Sequence, residues 1–206
     1  MIIYNTRQTR VYYTCSATLG RDIIFHALVC FSYFCQRCCL HACNVRVQKG
    51  KMADFKEIAI QDLYAEPYRH CFGCGPDNEQ GWHIKSYWHG AEVLAHYTPR
   101  PEYTGGVPEN LYGGLLAAIL DCHGTAAAAA FYHVAQGFHL GVEPLLRCVT
   151  ASLTVNYRKP TPMGQELELF ARCTNIEGRK VNLELGVRIG DVQYCDGSML
   201  AVRVKE

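Results

Sequence analysis

The stretch from Gly113 to about His133 is the feature that most limits how this chain can fold. Its sequence, GGLLAAILDCHGTAAAAAFYH, contains no proline, and apart from the glycines it consists mainly of residues with high helix propensity. Small apolar residues occupy nearly all sides of such a helix, which is typical of a helix enclosed by other elements. We therefore expect one long buried helix, with other backbones packed closely against its small side chains.

Strand-like sequences flank this helix along the chain. Two β-rich runs precede it and four follow it, separated by breaks that contain Gly, Pro and Asp. The expected strands are residues 82–89, 91–98, 148–158, 166–176, 180–189 and 192–204. Short connections of this kind favour an antiparallel meander. The predicted fold is α+β, with one antiparallel sheet of five to six strands wrapped around one central helix. A short helix is also expected at residues 54–66, before Pro67.

Charge and cysteine content divide the chain near residue 51. Residues 1–51 carry seven Lys/Arg, one Asp and six of the twelve cysteines, whereas residues 52–206 carry thirteen Lys/Arg and eighteen Asp/Glu, a net charge of −5. This acidic balance argues against a nucleic-acid surface on the second part, since phosphate binding needs clustered cations. No uninterrupted apolar run reaches the ~18–20 residues that span a bilayer, so we expect no membrane partner. Residues 52–206 have the size of one ordinary domain.

Residues 1–51 admit three interpretations. Thiolates two to four residues apart can share Zn²⁺, and Cys35, Cys38, Cys39 and Cys43 have such spacings. An arginine-rich, acid-poor leader is typical of a mitochondrial presequence, although serine is scarce here. We favour a third hypothesis, in which Met52 is the true start and the upstream residues form a non-domain extension. The domain would then be cytoplasmic, in keeping with cysteines scattered singly along it.

The start of the long helix is a candidate for binding a polarised carbonyl. Backbone N–H groups at a helix N-terminus lack partners and carry a partial positive charge. The glycines Gly113 and Gly114, which follow Tyr112, let a ligand approach this backbone closely. An oxyanion hole has these properties.

Asp121 is an acid inside an otherwise apolar helix, so it needs a partner or a function. It lies seven residues after Gly114, on nearly the same face but ~10.5 Å further along the axis. One carbonyl cannot touch both places on one helix. If both act on the same bond, they must come from two copies of the chain. The alternative is a structural acid that caps a loop or accepts from a backbone amide.

Three strings together resemble a known family. They are YGGLLAAILD, TASLTVNYRKPTPMG and CFGCGPDNEQG, and the resemblance covers about residues 68–204. They are similar to the hotdog-fold acyl-CoA thioesterases, in particular the PaaI-like group within the 4-hydroxybenzoyl-CoA thioesterase superfamily. The resemblance implies hydrolysis of an acyl-CoA to a free acid and CoA, without metal or redox cofactor, by a homodimer or a dimer of dimers.

The resemblance also implies roles for single residues. Gly113, with Gly114 beside it, would donate N–H to the thioester carbonyl, and Asp121 of the partner subunit would act as nucleophile or as general base. Thr150 on the facing strand would orient the attacking water. Arg158 and Lys159 are candidates for contacting the CoA phosphates, with a solvated strand end as the alternative.

The sequence departs from the family pattern before the glycine pair. Tyr112 stands where the family often has His. Gly106 stands where some relatives have a side-chain amide that assists the oxyanion, a role that Asn110 could take from nearby.

Other reactive residues favour simpler interpretations. His70-Cys71-x2-Cys74 is half of a zinc motif, and because no second pair follows, we expect a turn near the acyl pocket instead of a metal site. Cys122 has no base positioned for it and suits a buried core position. His123 lies ~200° around the helix from Asp121, so a core or interface role is favoured. This weakens a third option, a hotdog dehydratase. The main alternative to hydrolysis is a non-catalytic module that binds acyl-CoA or acyl-carrier thioesters as a sensor.

Overall fold

The computed structural model describes residues 5–6, 9–10 and 58–205. The chain divides into two units, Met1–Lys49 and Gly50–Glu206. In the first unit, β1 (Asn5–Thr6) pairs antiparallel with β2 (Thr9–Arg10). The expectations about the cysteine cluster, a leader and a start at Met52 concern residues outside the described ranges.

The described residues of the second unit, 58–205, form one long helix and six strands. In chain order its elements are β3 (Ser86–Trp88), β4 (Val93–Tyr97), α1 (Gly113–Ala135), β5 (Cys148–Tyr157), β6 (Leu167–Glu177), β7 (Lys180–Ile189) and β8 (Val192–Arg203). The strands form one antiparallel sheet in the order β3-β4-β6-β7-β8-β5. The predicted α+β hotdog fold, with six strands around one helix, is confirmed.

Helix α1 is enclosed as its composition predicts. The alanines from Ala126 to Ala130 have no exposed surface. A Cβ atom at Gly124 would meet Met199 and Leu185 of the sheet, so this glycine allows the close approach of helix and sheet. By length and composition α1 could cross a membrane, although Asp121 interrupts its apolar run. However, 78% of its most apolar window is buried inside the domain, as in the core helix of a soluble protein.

The position of β5 differs from the expected meander. β5 pairs with β8 at the edge of the sheet, from Cys148↔Arg203 to Tyr157↔Cys195, and not with β6. Two-residue turns that begin with Gly178 and Gly190, both at φ 56°, join β6 to β7 and β7 to β8 as hairpins. The connection from β5 to β6 is longer and contains two prolines, so it does not require these two strands to pair.

Two local predictions were wrong. The helix expected over residues 54–66 is replaced, in the part that is described, by short 3-10 turns at Ile60–Leu63 and Glu66–Tyr68. Strand β3 is shorter than expected because backbone groups before Ser86 form hydrogen bonds outside the sheet. The N–H groups of Trp82 and Ile84 donate to the carbonyls of Phe72 and Gly73, at 2.9 and 3.0 Å.

Candidate active site

The N-terminus of α1 offers free backbone donors. Tyr112 occupies the N-cap position with φ −59° and ψ 120°, and its side chain makes no capping hydrogen bond. Within residues 58–205, no acceptor is recorded for the N–H groups of Gly113 and Gly114, whereas Leu115 N–H donates to the Tyr112 carbonyl at 3.0 Å. The N–H groups of Gly113 and Gly114, at the positive end of the helix, are therefore left without a partner in this part of the chain.

A cleft of about 560 Å³ lies at this helix end. It contains five of the eight residues predicted for the site: Asn110, Tyr112, Gly113, Arg158 and Lys159. Gly114 is not in the lining, and a Cβ atom there would clash with the ring of Tyr112. The half-exposed Tyr112 side chain therefore folds over Gly114, in the place where the resemblance implies a histidine.

Tyr157, at the end of β5, fixes the first residue of the helix. Its hydroxyl donates to the carbonyl of Gly113 at 2.8 Å. A Cβ atom at Gly113 would lie 3.4 Å from the Tyr157 ring, so the ring packs directly on the glycine. Tyr157 was not predicted as a site residue. An exposed tyrosine directly before Arg158 and Lys159 was the signal that could have indicated it.

Asp121 and Thr150 form the second part of the site. The Thr150 hydroxyl on β5 donates to Oδ1 of Asp121 at 2.5 Å. In the described part of the chain this is the hydrogen bond recorded for the Asp121 carboxylate, and no backbone amide donates to it. The alternative of a loop-capping acid therefore lacks a contact here. The direct contact of Thr150 with the carboxylate was not predicted, since Thr150 was expected to orient the attacking water.

A β-bulge directs Thr150 towards the helix. The register of β5 with β8 shifts between Thr150 and Ser152. Before the shift Cys148 and Thr150 face inward, and after it Leu153 and Val155 pack against the core. The extra residue thus reverses the alternation of the strand, a common use of bulges near functional side chains.

The two parts of the site do not meet within one chain. Asp121 and Thr150 are absent from the lining of the cleft that contains Gly113. Eight helical residues separate Asp121 from Gly113, a rise of ~12 Å. Because α1 is one continuous helix, the separation of the glycine pair from Asp121 that the sequence implied is kept in the folded chain.

The two predicted cations of the cleft differ in whether an acidic residue already pairs with them. Arg158 makes a bidentate pair with Asp196, with Nε–Oδ2 and Nη2–Oδ1 distances of 2.6 and 2.8 Å. This pairing lowers the pKa of Asp196 to about 2. Lys159 has no ion pair among the residues that the structure describes. Lys159 is therefore the cation more readily available to an anionic ligand.

Comparison with known proteins decides the family. The thioesterase superfamily profile matches residues 109–195, which include most of the cleft lining, Asp121 and Thr150. A solved thioesterase superfamily protein from Shewanella loihica PV-4 is 37% identical and covers 70% of this chain and 99% of its own, with a TM-score of 0.52. This chain belongs to the thioesterase superfamily.

Other relatives agree with this membership. Acyl-coenzyme A thioesterase THEM4 of Xenopus laevis is 31% identical over 113 residues, which are 55% of this chain but only 45% of that protein. The chain thus spans about half the length of this curated relative. The E. coli PaaI protein from the phenylacetic acid degradation operon has a TM-score of 0.50 at 13% identity, covering 60% of this chain and 81% of its own. That likeness supports the hotdog fold alone.

His123 of this thioesterase-superfamily chain is a core residue. It is fully buried, and its Nδ1 lies 2.9 Å from the Ser86 hydroxyl, which also accepts from the Gln61 amide at 2.9 Å. Burial lowers the pKa of His123 to about 3, so the ring is neutral at physiological pH. The interpretation as a core histidine is confirmed, and His123 does not pair with Asp121 as a dehydratase dyad would require.

We expect His123 to make the domain sensitive to acid. An unfolded histidine binds a proton below pH ~6.5, whereas the folded His123 resists protonation until about pH 3. Between these values the unfolded state binds more protons, so the free energy of unfolding should fall by up to about 1.4 kcal/mol per pH unit as the pH decreases. Urea unfolding at a series of pH values between 7.5 and 4 measures this dependence.

The His123→Asn variant isolates this contribution, because asparagine keeps polar atoms near Ser86 but does not titrate. Its unfolding free energy should depend less steeply on pH than that of the unaltered chain. His83→Asn is the matched control, since His83 is exposed and its φ of 54° suits asparagine. Equal pH slopes in His123→Asn and the unaltered chain would contradict the assignment.

The structure corrects the picture of Cys122 as an isolated thiol. Its Sγ lies 3.8 Å from the Sγ of Cys71, across 51 residues of sequence. Hydrogen bonds from the Cys122 and Cys74 thiols and from two backbone amides lower the pKa of Cys71. Hydrogen bonding to these neighbours and burial raise the pKa of Cys122. The raised pKa opposes a nucleophilic role for Cys122.

Proposed function

We propose that this chain hydrolyses acyl-CoA thioesters to a free acid and CoA. The observation that carries the proposal is the hydrogen bond from Thr150 to Asp121 on the same helix whose open N-terminus borders the cleft. Membership in the thioesterase superfamily supports thioester hydrolysis in general, and the named activity of the Xenopus laevis relative suggests the CoA ester.

The proposed oxyanion hole consists of the N–H groups of Gly113 and Gly114. The thioester carbonyl oxygen would accept from these donors and gain negative charge as the carbonyl carbon becomes tetrahedral. Donors fixed in place before the reaction stabilise this charge without reorganisation, which is commonly a large part of the catalytic effect. Tyr157 supports this arrangement as a positioning residue, through its bond to the Gly113 carbonyl.

Asp121 is the proposed base or nucleophile. As a base, its carboxylate takes a proton from water while the water oxygen bonds to the carbonyl carbon. The tetrahedral intermediate then collapses, the C–S bond breaks, and the leaving thiolate receives the proton from Asp121. As a nucleophile, Asp121 would instead bond to the carbonyl carbon while the C–S bond breaks and CoA thiolate leaves. Water would then cleave the resulting acyl anhydride to the free acid and the Asp121 carboxylate, and the released proton would pass to the thiolate. In either route the Thr150 hydroxyl holds one carboxylate oxygen and so orients the other.

The proposed site is shared between two copies of the chain. The ~12 Å rise from Gly113 to Asp121 prevents both from acting on one carbonyl within a single helix. Strand β5, which carries Thr150 and Tyr157, lies at an edge of the sheet, so its outer backbone groups are available to another chain. A homodimer or a dimer of dimers is the proposed assembly.

The CoA moiety would enter the cleft beside the end of β5. Lys159 is the proposed contact for its phosphates, with Arg158 as a second cation whose charge is already shared with Asp196. Asn110 lines the same cleft and could donate its side-chain amide to the substrate. Tyr112 would form the wall next to the glycine pair.

A panel of acyl-CoAs tests the proposed function. The purified full chain should consume the thioester absorbance of at least one of them with saturation kinetics. Direct absorbance is preferable to thiol reagents because the chain itself carries twelve cysteines. Saturable binding of acyl-CoA without turnover would contradict hydrolysis and favour the sensor alternative.

A further inference from the structure

Three thiols from separate parts of the chain converge beside the proposed acid. The sulfur atoms of Cys71, Cys74 and Cys122 all lie within 4.8 Å of one another. Cys74 and Cys122 are buried, and Cys71 is half-buried. None of the three lines the cleft at the start of α1. The cluster therefore lies outside the cleft at the start of α1 of its own chain.

The spacing of the sulfurs suits a shared cation. Thiolates bound to Zn²⁺ at ~2.3 Å in a tetrahedral arrangement lie ~3.8 Å apart. The Cys71–Cys122 distance is 3.8 Å. A disulfide needs ~2.05 Å between sulfurs and joins only two of them, which would leave the third thiol without a role. Three sulfurs around one point are better explained by a metal ion.

The turn that carries Cys71 and Cys74 is shaped around the cluster. A Cβ atom at Gly73 would clash with the sulfur of Cys122, and one at Gly75 would clash with the carbonyl of Arg69. The N–H of Gly75 donates to the Cys71 carbonyl at 2.8 Å, which closes the turn. Only glycine fits at these two positions, so the turn holds its two thiols next to Cys122.

Arg147, a half-buried cation whose charge acts on Cys74, favours negative charge at the cluster. Nε and Nη1 of Arg147 are buried and have no hydrogen-bond partner in the described part of the chain, as is also the case for the Tyr64 hydroxyl. The Arg147 guanidinium lies 4.1 Å above the Tyr64 ring, and its charge acts on Cys74. A divalent cation with three thiolates has a net charge of −1, which would compensate this half-buried positive charge.

We propose that Cys71, Cys74 and Cys122 bind a thiophilic metal ion, with Zn²⁺ as the expected ion and the fourth coordination position open to an exogenous ligand. Soft sulfur ligands favour such ions over Mg²⁺ or Ca²⁺. Because Cys122 directly follows Asp121, the bound metal would tie the Cys71–Cys74 turn to the helix at the residue next to the proposed acid. The metal takes no part in the proposed hydrolysis.

Cobalt substitution tests the site in the full-length chain. Co²⁺ is added to the reduced full chain, in which Cys15, Cys30, Cys35, Cys38, Cys39 and Cys43 have been replaced by serine so that only the described cysteines can contribute. We expect thiolate-to-Co²⁺ charge-transfer absorption that saturates at one ion per chain and is abolished by added Zn²⁺. Zn²⁺ should also raise the Tm of this chain.

Matched variants locate the site. Cys122→Ala and Cys71→Ser should each weaken binding by at least ~10–100-fold, the loss that even outer-shell changes cause. Cys195→Ala removes a buried thiol outside the cluster and should leave binding unchanged. The half-buried Cys71 provides a variant that preserves folding if Cys122→Ala does not. Two results would overturn the proposal. One is the absence of charge-transfer absorption in the chain that keeps all three cluster cysteines, and the other is its persistence in Cys71→Ser.

Discussion

Replacement of Asp121 by Asn is expected to lower kcat for acyl-CoA hydrolysis by about 10²–10⁴-fold, the usual contribution of a general base. Asparagine preserves the size of the side chain and can still accept the hydrogen bond from Thr150, so the fold should be unaffected. It cannot take a proton from water or attack the carbonyl carbon. The decrease is measured from steady-state loss of thioester absorbance, with circular dichroism and Tm as checks of folding.

Two further variants sharpen this test. Asp191→Asn alters an exposed aspartate in the turn between β7 and β8 and should leave kcat unchanged. Thr150→Val removes only the donor to Asp121 and should cost less than the loss of the carboxylate itself. A well-folded Asp121→Asn protein with kcat close to that of the unaltered enzyme would refute the role of Asp121.

Replacement of Gly113 by Pro is expected to lower kcat by about 10²–10³-fold, the cost of removing one oxyanion donor. Proline lacks the N–H group but is well tolerated at the first position of a helix. The ψ of 120° at Tyr112 is compatible with a following proline. The substitution therefore removes the proposed donor while preserving the helix, and kcat against the acyl-CoA panel measures the loss.

Gly113→Ala is the matched control for this change. It retains the N–H group and adds a Cβ atom at 3.4 Å from the ring of Tyr157, a contact that a small shift of the ring relieves. Its kcat should lie much closer to that of the unaltered protein. If alanine and proline reduce kcat equally, crowding and not loss of the donor explains the effect.

A mixture of the two inactive variants tests whether the site is shared. In a hybrid dimer of Asp121→Asn and Gly113→Pro chains, one of the two sites has an intact glycine from one copy and an intact acid from the other. Random association of equal amounts should restore about a quarter of the activity of the unaltered dimer. No recovery after the subunits are shown to exchange would place both groups in one chain.

The helix and the spacing along it were predictable because they depend on local sequence. The small apolar residues after Gly113 predicted enclosure, and helical geometry alone separated Gly113 from Asp121. The strands after the helix were recognised for the same reason. The prediction of a helix over residues 54–66 was wrong because Ile60–Leu63 forms a 3-10 turn that packs on β3 and on α1.

Long-range contacts could not be predicted from pattern. Nothing in the sequence relates Cys122 to the Cys71–Cys74 turn, since their approach depends on how that turn crosses the helix. The contact from Tyr157 to Gly113 likewise depends on β5 reaching the start of α1. The edge position of β5 follows from competition among strands for partners, which local propensity does not decide.

Strand β5 contacts both parts of the proposed active site that a single chain contributes. Through Thr150 it contacts Asp121, and through Tyr157 it contacts Gly113. In the proposed dimer these two residues serve different active sites. A ligand that displaces β5 at one site would therefore move a catalytic group of the other, which makes this strand a mechanical link through which the two sites could influence each other's occupancy.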